Sequence, residues 1–122
     1  MFLQLNHQKL EVFQVSRKFL LECYDLTKSF PPDEKYNLTT QIRRAALSVH
    51  LNIAEGSSRK SSAERRRYYE ISRGSIIEID AALDVAFDLG HFKMENCKSL
   101  PEVTTSCFKL LSKLINSTAS AT

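Results

Sequence analysis

Residues 61–90 read SSAERRRYYEISRGSIIEIDAALDVAFDLG, and the spacing of their apolar positions decides the fold class. Tyr68, Ser72, Ser75, Ile79, Ala82, Ala86 and Leu89 recur in steps of four and three, with Tyr69, Ile76 and Leu83 beside them. A sustained seven-residue repeat puts one face of a long α-helix against neighbours that cross it at a shallow angle, as in a bundle. Ser61-Ser62-Ala63-Glu64 has the spacing of a capping box, so the helix is predicted over about 61–89. Gly90 closes it. Gly74 inside the pattern costs about 1 kcal/mol relative to Ala, and is read as the point where a neighbouring helix comes close.

The same periodicity extends outward in both directions. Upstream, Leu38, Ile42, Ala45, Val49 and Ile53, with Ala46 beside them, predict a helix over about 37–55, and Gly56 is expected to end it in a left-handed conformation. Before that, Val12, Phe19, Cys23, Leu26 and Phe30, widened by Phe13 and Leu20, predict a helix over about 9–28, stopped by Pro31-Pro32. Downstream, Val103, Cys107, Leu110, Leu111, Leu114 and Ile115 predict a helix over about 99–116, with Pro101 where a first turn tolerates it. The polar tail from Ser117 to Thr122 is expected to fray. Short links make successive helices antiparallel. The expectation is an all-α, antiparallel up-down four-helix bundle, one domain spanning residues 1–122.

Composition agrees. A chain of 122 residues with 43% hydrophobic and 25% charged residues fits one globular core, and three glycines and three prolines leave little room for the turns a sheet needs. No apolar run reaches the ~18 residues of a membrane span. The opening MFLQLNHQKLEVF lacks the basic start and long apolar stretch of a signal peptide, so a cytoplasmic protein is expected. Cys23, Cys97 and Cys107 are odd in number and not spaced as metal ligands, and read as small buried hydrophobes in a reducing compartment.

Catalytic signatures are missing from the sequence. His7, His50 and His91 are far apart, and neither HExxH nor GxSxG occurs. Gly56-Ser57-Ser58-Arg59-Lys60-Ser61 lacks the second glycine of a nucleotide-hydrolysing phosphate loop, and its Lys-Ser does not open a helix after a strand. Glu78, Asp80, Asp84 and Asp88 carry no histidine at the spacing of a di-iron site and read as a solvated helix face. No cofactor and no metal are expected, and an enzyme is the weakest reading.

The charge pattern is more informative. The net charge is +3, but residues 43–73 hold eight arginines and lysines against three glutamates, while residues 74–90 hold four acids and no base. The candidate nucleic-acid-binding residues are Arg43, Arg44, Arg59, Lys60, Arg65, Arg66, Arg67 and Arg73. Three of them, Arg65, Arg66 and Arg67, fall in the first turns of a helix, where the dipole favours acids instead. Either they pair with Glu64, Glu70 and other acids on a solvated face, or they form a site for phosphates or an acidic protein surface, both of which arginine takes bidentately. Tyr68 and Tyr69 follow and offer stacking surface for bases, although the core claims at least one. Arg43 and Arg44 flank the stripe of the second helix, their stems placed to cover apolar surface or their heads to pair with Glu55 or with the acids of the third helix.

The strings LTTQIRRAA at 38–46, NIAEG at 52–56, then Arg59, then Arg73-Gly74-Ser75 with Glu78, resemble the bacterial four-helix-bundle family of 23S ribosomal RNA intervening-sequence proteins. The likeness covers about residues 10–115. Ser57-Ser58 stands where many members have an aromatic and a glycine, and His50-Leu51 where many have a proline. The resemblance implies a small cytoplasmic protein without an established enzymatic activity or cofactor. A relative, the accessory variability protein of diversity-generating retroelements, assembles as a basic pentameric barrel and binds reverse transcriptase and nucleic acid.

Two functions from different classes are therefore expected. The first is a homo-oligomeric scaffold, a ring such as a pentamer, whose arginine-rich surface binds nucleic acid, with RNA favoured. The second is a protein–protein module, an accessory subunit of a nucleic-acid enzyme such as a reverse transcriptase. Leu47, Leu51, Ile71, Ile77 and Phe87, apolar outside the core stripes, are either a seam between subunits or core of a fatter bundle.

Overall fold

A computed structural model describes residues 1–120. The described residues form four α-helices: α1 Glu11–Thr27, α2 Leu38–Ser57, α3 Ser62–Asp88 and α4 Leu100–Ser120. Single 3-10 turns at Asn6–Lys9, Pro32–Glu34 and Met94–Asn96 precede α1, α2 and α4. Each helix packs on its sequence neighbours, and α1 closes the ring against α4. Arg43 near the start of α2 bonds Thr27 at the end of α1, Ser99 just before α4 bonds Glu22 near the end of α1, and Ser72–Val49 and Arg73–Ser112 join the middles of α3 with α2 and α4, so neighbours run antiparallel. Among the described residues, no helix is long and apolar enough to cross a membrane.

The predicted stripes build the core. Phe19, Ile42, Val49, Ile53, Ile76, Ile79 and Leu111 are fully enclosed. In α1 the seven-residue gap between Val12 and Phe19 is filled by buried Ser16. The inward face of α3 is Tyr69, Ser72, Ile76, Ile79 and Ala86, not the line ending at Leu89. Leu89 is 58% exposed because it is the C-cap, where the chain already turns away from the bundle. Buried Ser72 is small enough to let α2 and α3 approach, and its hydroxyl donates to the Val49 carbonyl at 2.7 Å. The cysteines are free and buried, as expected.

The helix ends confirm two readings and correct three. Ser61 caps α3, its hydroxyl accepting the Glu64 N–H at 3.1 Å. Gly90, with φ +78°, closes α3 in a full Schellman arrangement in which His91 N–H donates to Ala86 and Gly90 N–H to Phe87. Gly56, expected as a left-handed terminator, instead lies inside α2, which runs on to Ser57. It is glycine because α3 crosses there: a Cβ would stand 2.9 Å from Tyr68 Cβ and 3.2 Å from the Arg65 carbonyl oxygen. Gly74, expected to admit a neighbouring helix, has nothing within 4 Å of where its Cβ would be. The tail does not fray at Ser117; α4 continues to Ser120, and Thr118 is buried with its hydroxyl donating to Leu114. Residues 121–122 of that tail lie outside the described residues.

Candidate nucleic-acid interface

Antiparallel packing turns the charge blocks of the sequence into a charge separation along the bundle. The start of α1, the end of α2, the start of α3 and the end of α4 share one end of the molecule. That end, residues 1–18, 50–73 and 109–120, carries eleven lysines and arginines against four acids, or +7. The remaining residues, 19–49 and 74–108, carry six against ten, or −4. Lys9 from the turn before α1, Arg17 and Lys18 from α1, and Lys109 and Lys113 from α4 join the basic end. Local sequence reading does not group them with the arginines, because only the helix order brings them together.

The eight candidates divide into three groups. Arg43 lies towards the opposite end and clips α2 to α1: its Nε donates to Thr27 Oγ1 at 2.9 Å, Nη2 to the Tyr24 carbonyl at 3.4 Å, and its guanidinium lies 4.9 Å from the Tyr24 ring centre. It pairs with neither Glu55 nor the acids of α3. Arg44 is exposed in the first half of α2, also away from the basic end, with no hydrogen bond or ion pair among the described residues.

Arg59, Arg65 and Arg73 belong to the basic end but are engaged in holding it together. Arg59 is ion-paired with Glu55, donates to the Tyr68 hydroxyl at 3.2 Å and lies over the Tyr68 ring at 5.0 Å. The Tyr68 phenol first, then the Glu55 carboxylate, hold its pKa above the usual arginine value. Arg65 straps the α2–α3 link, donating to the carbonyls of Arg59 and Lys60 at 3.1 and 2.7 Å and to Ser62 Oγ at 3.2 Å. Arg73 ties α3 to α4 through Ser112 Oγ at 3.1 Å, with Phe108 under its guanidinium.

Lys60, Arg66 and Arg67 are different. No hydrogen bond or ion pair engages them among the described residues, and Lys60 and Arg67 are exposed. The local pairing with Glu64 and Glu70 that a solvated face predicts is not formed. Three cations thus stand uncompensated at the N-terminal end of α3. Tyr69 is no stacking surface, being 3% exposed with its hydroxyl bonded to Ser57 at 2.9 Å.

The polar pairs elsewhere are structural. Ser16 Oγ and His50 Nδ1 are 2.7 Å apart, but Ser16 is buried and donates to the Phe13 carbonyl at 2.9 Å. The imidazole Nδ1–H is therefore the donor to Ser16, the reverse of what a nucleophilic serine requires. Burial, followed by Arg17 and His7, keeps His50 below the usual histidine value. Burial pushes the Cys23 and Cys107 thiols up to about 12, which removes them as nucleophiles. Among the described residues no group of three His, Cys, Asp or Glu is arranged to hold a metal.

The model of the family described as 23S rRNA-intervening sequence protein matches residues 8–113. The chain belongs to that family. A crystal structure from Bacteroides thetaiotaomicron, of a protein with unknown function from the S23 ribosomal protein family, superimposes with a TM-score of 0.77. It is 24% identical, and the alignment covers 86% of this chain and 95% of that one, so the likeness is one of fold. No curated protein matches.

In this 23S rRNA-intervening sequence protein, most residues that carried the resemblance hold helices together. Ile42, Ala45, Ala46, Ile53 and Gly56 are core, and Arg43 is the α1–α2 clip. Asn52 bonds back to Ser48, and Ser75 bonds Ser48 across α2 and α3 at 3.1 Å. Gln41, Arg44, Gly74 and Glu78 point outward without such a task.

Proposed function

We propose that the protein is a non-catalytic helical scaffold that forms homo-oligomers and binds nucleic acid, RNA in preference to DNA, through its basic end. Lys60, Arg66 and Arg67 bind the phosphates; Arg59, Arg65 and Arg73 shape the surface that presents them. One observation carries this reading: the three cations lack carboxylate partners among the described residues although Glu64 and Glu70 are near in sequence, and they sit where the net charge is +7. Free guanidinium and ammonium groups gain most from a phosphate, because no internal pair must be broken. The family's association with ribosomal RNA supports RNA as the polymer. An electrophoretic mobility-shift titration against single-stranded and structured RNA at increasing salt tests it. Affinity that falls steeply and linearly on a log–log salt plot is expected, and no salt-sensitive binding to any RNA or DNA ends the reading.

A second reading, an accessory subunit docking on a nucleic-acid enzyme such as a reverse transcriptase, is favoured by a separate observation. Leu47, Leu51, Ile71 and Ile77 are 40–57% exposed, so they are not core of a fatter bundle. They provide apolar surface on α2 and α3 for a partner protein. Light scattering at micromolar concentration, alone and with a candidate enzyme, separates the two.

A further inference from the structure

The opening residues form an apolar arm that nothing among the described residues covers. Met1, Phe2, Leu3 and Leu5 are 88%, 90%, 66% and 45% exposed, and they precede the Asn6–Lys9 turn, which packs on α1 and α2 at the basic end. At the opposite end, α3 and α4 leave an open groove of about 520 Å³. Leu83, Phe87, Phe92 and Met94 line it, and Asp80 and Asp84 stand on its rim. Two of its lining rings touch, Phe87 and Phe92 with centroids 5.6 Å apart, and Phe92 also stacks on buried Phe30 at 6.2 Å.

Arm and groove belong to the same chain but cannot meet within it. The 20 residues of α2, which span roughly 30 Å, separate the two ends. Five extended residues reach at most about 18 Å. The charges decide which way two copies approach. The arm is rooted in the +7 end, beside Lys9, and the groove opens at the −4 end, beside Asp80 and Asp84.

We propose that Met1, Phe2 and Leu3 of one copy seat in the Leu83–Phe87–Phe92–Met94 groove of the next, a head-to-tail contact between copies of this chain. The proposal rests on the homo-oligomer reading above and identifies the contact that would build it. Such a contact uses two different surfaces, so each copy gives an arm and receives one, and the assembly closes into a ring when the rotation between copies allows.

The test measures mass by size-exclusion chromatography with light scattering at micromolar concentration. The full chain is compared with an arm variant, Phe2→Asp with Leu3→Asp, and a groove variant, Phe87→Glu with Met94→Glu. All four positions are exposed, and circular dichroism checks that the helices persist. The wild type is expected to be oligomeric and each variant monomeric, with at least tenfold weaker association. An equimolar mixture of the variants is expected to give a heterodimer and nothing larger, because one intact arm meets one intact groove. An arm variant that keeps the wild-type mass, or a mixture that stays monomeric, overturns the proposal while leaving the oligomer reading intact. A monomeric wild type ends both.

Discussion

Gly56 on α2 and Tyr68 on α3 lie so close that a methyl group on the glycine would stand 2.9 Å from the tyrosine Cβ. Gly56→Ala should therefore force the two helices apart at the point where the α2–α3 link begins. Overpacking of about 1–3 kcal/mol opposes a gain of about 1 kcal/mol in helix propensity. The urea midpoint is expected to fall. Gly74→Ala, in open space, should raise it by up to about 1 kcal/mol. A higher midpoint for Gly56→Ala would show that the helices do not make this approach.

Replacing Lys60, Arg66 and Arg67 together with alanine should weaken RNA binding without weakening the fold. The slope of log affinity against log salt should flatten by roughly 2 for single-stranded RNA, at about 0.7 for each phosphate no longer neutralised. The stability should shift by no more than about 0.5 kcal/mol, since nothing internal is removed.

Arg65→Ala and Arg43→Ala should behave in the opposite way. Each removes donors that bind backbone or hydroxyl oxygens across a link or between helices. A loss of about 1 kcal/mol of stability is expected from partly exposed charge-assisted bonds. For Arg43, placed away from the basic end, RNA affinity should be unchanged.

The His50 ring contributes a defined pH dependence. Its folded pKa lies below the usual 6.5, chiefly through burial. As pH falls, the unfolded chain accepts a proton there before the folded one does, so the neutral ring's stabilisation is complete above 6.5 and is lost as pH drops through the folded value. Urea melts between about pH 7.5 and 5 should show this slope. His50→Asn, which keeps a donor towards Ser16 but does not titrate, should reduce it.

Cys23 and Cys107 should resist alkylation in the folded protein. With pKa values pushed up to about 12 and no exposed surface, they offer neither thiolate nor access under mildly alkaline conditions. Iodoacetamide labelling followed by intact-mass measurement should show both thiols unmodified until urea is added. Labelling in buffer alone would mean that α1 and α4 separate on their own.

Helix positions and faces were readable from the sequence because a seven-residue repeat leaves few other ways to hide Ile42, Val49, Ile76 and Leu111. Local geometry was readable where one residue type has one strong use, as at Ser61 and Gly90. Gly56 and Gly74 show where that stops. A glycine near a helix end looks the same whether it turns the chain or admits a crossing helix, and only the neighbouring backbone tells them apart. The candidate site was half legible. The block of arginines is visible in one dimension, but which of them are spent on Ser112, Thr27 or the Lys60 carbonyl is set by tertiary packing. The N-terminal arm has no periodic signal, because its meaning lies in having no partner within reach.

The brevity of the connection between α2 and α3 has a kinetic consequence. Closing so short a loop costs little entropy, whereas Ser99 and Lys98 must find Glu22 and Asp25 across most of the chain. The α2–α3 hairpin should form early, with α1 and α4 docking on it afterwards. Backbone amides along the α1–α4 seam should then exchange with deuterium before those facing each other across Val49 and Ser72.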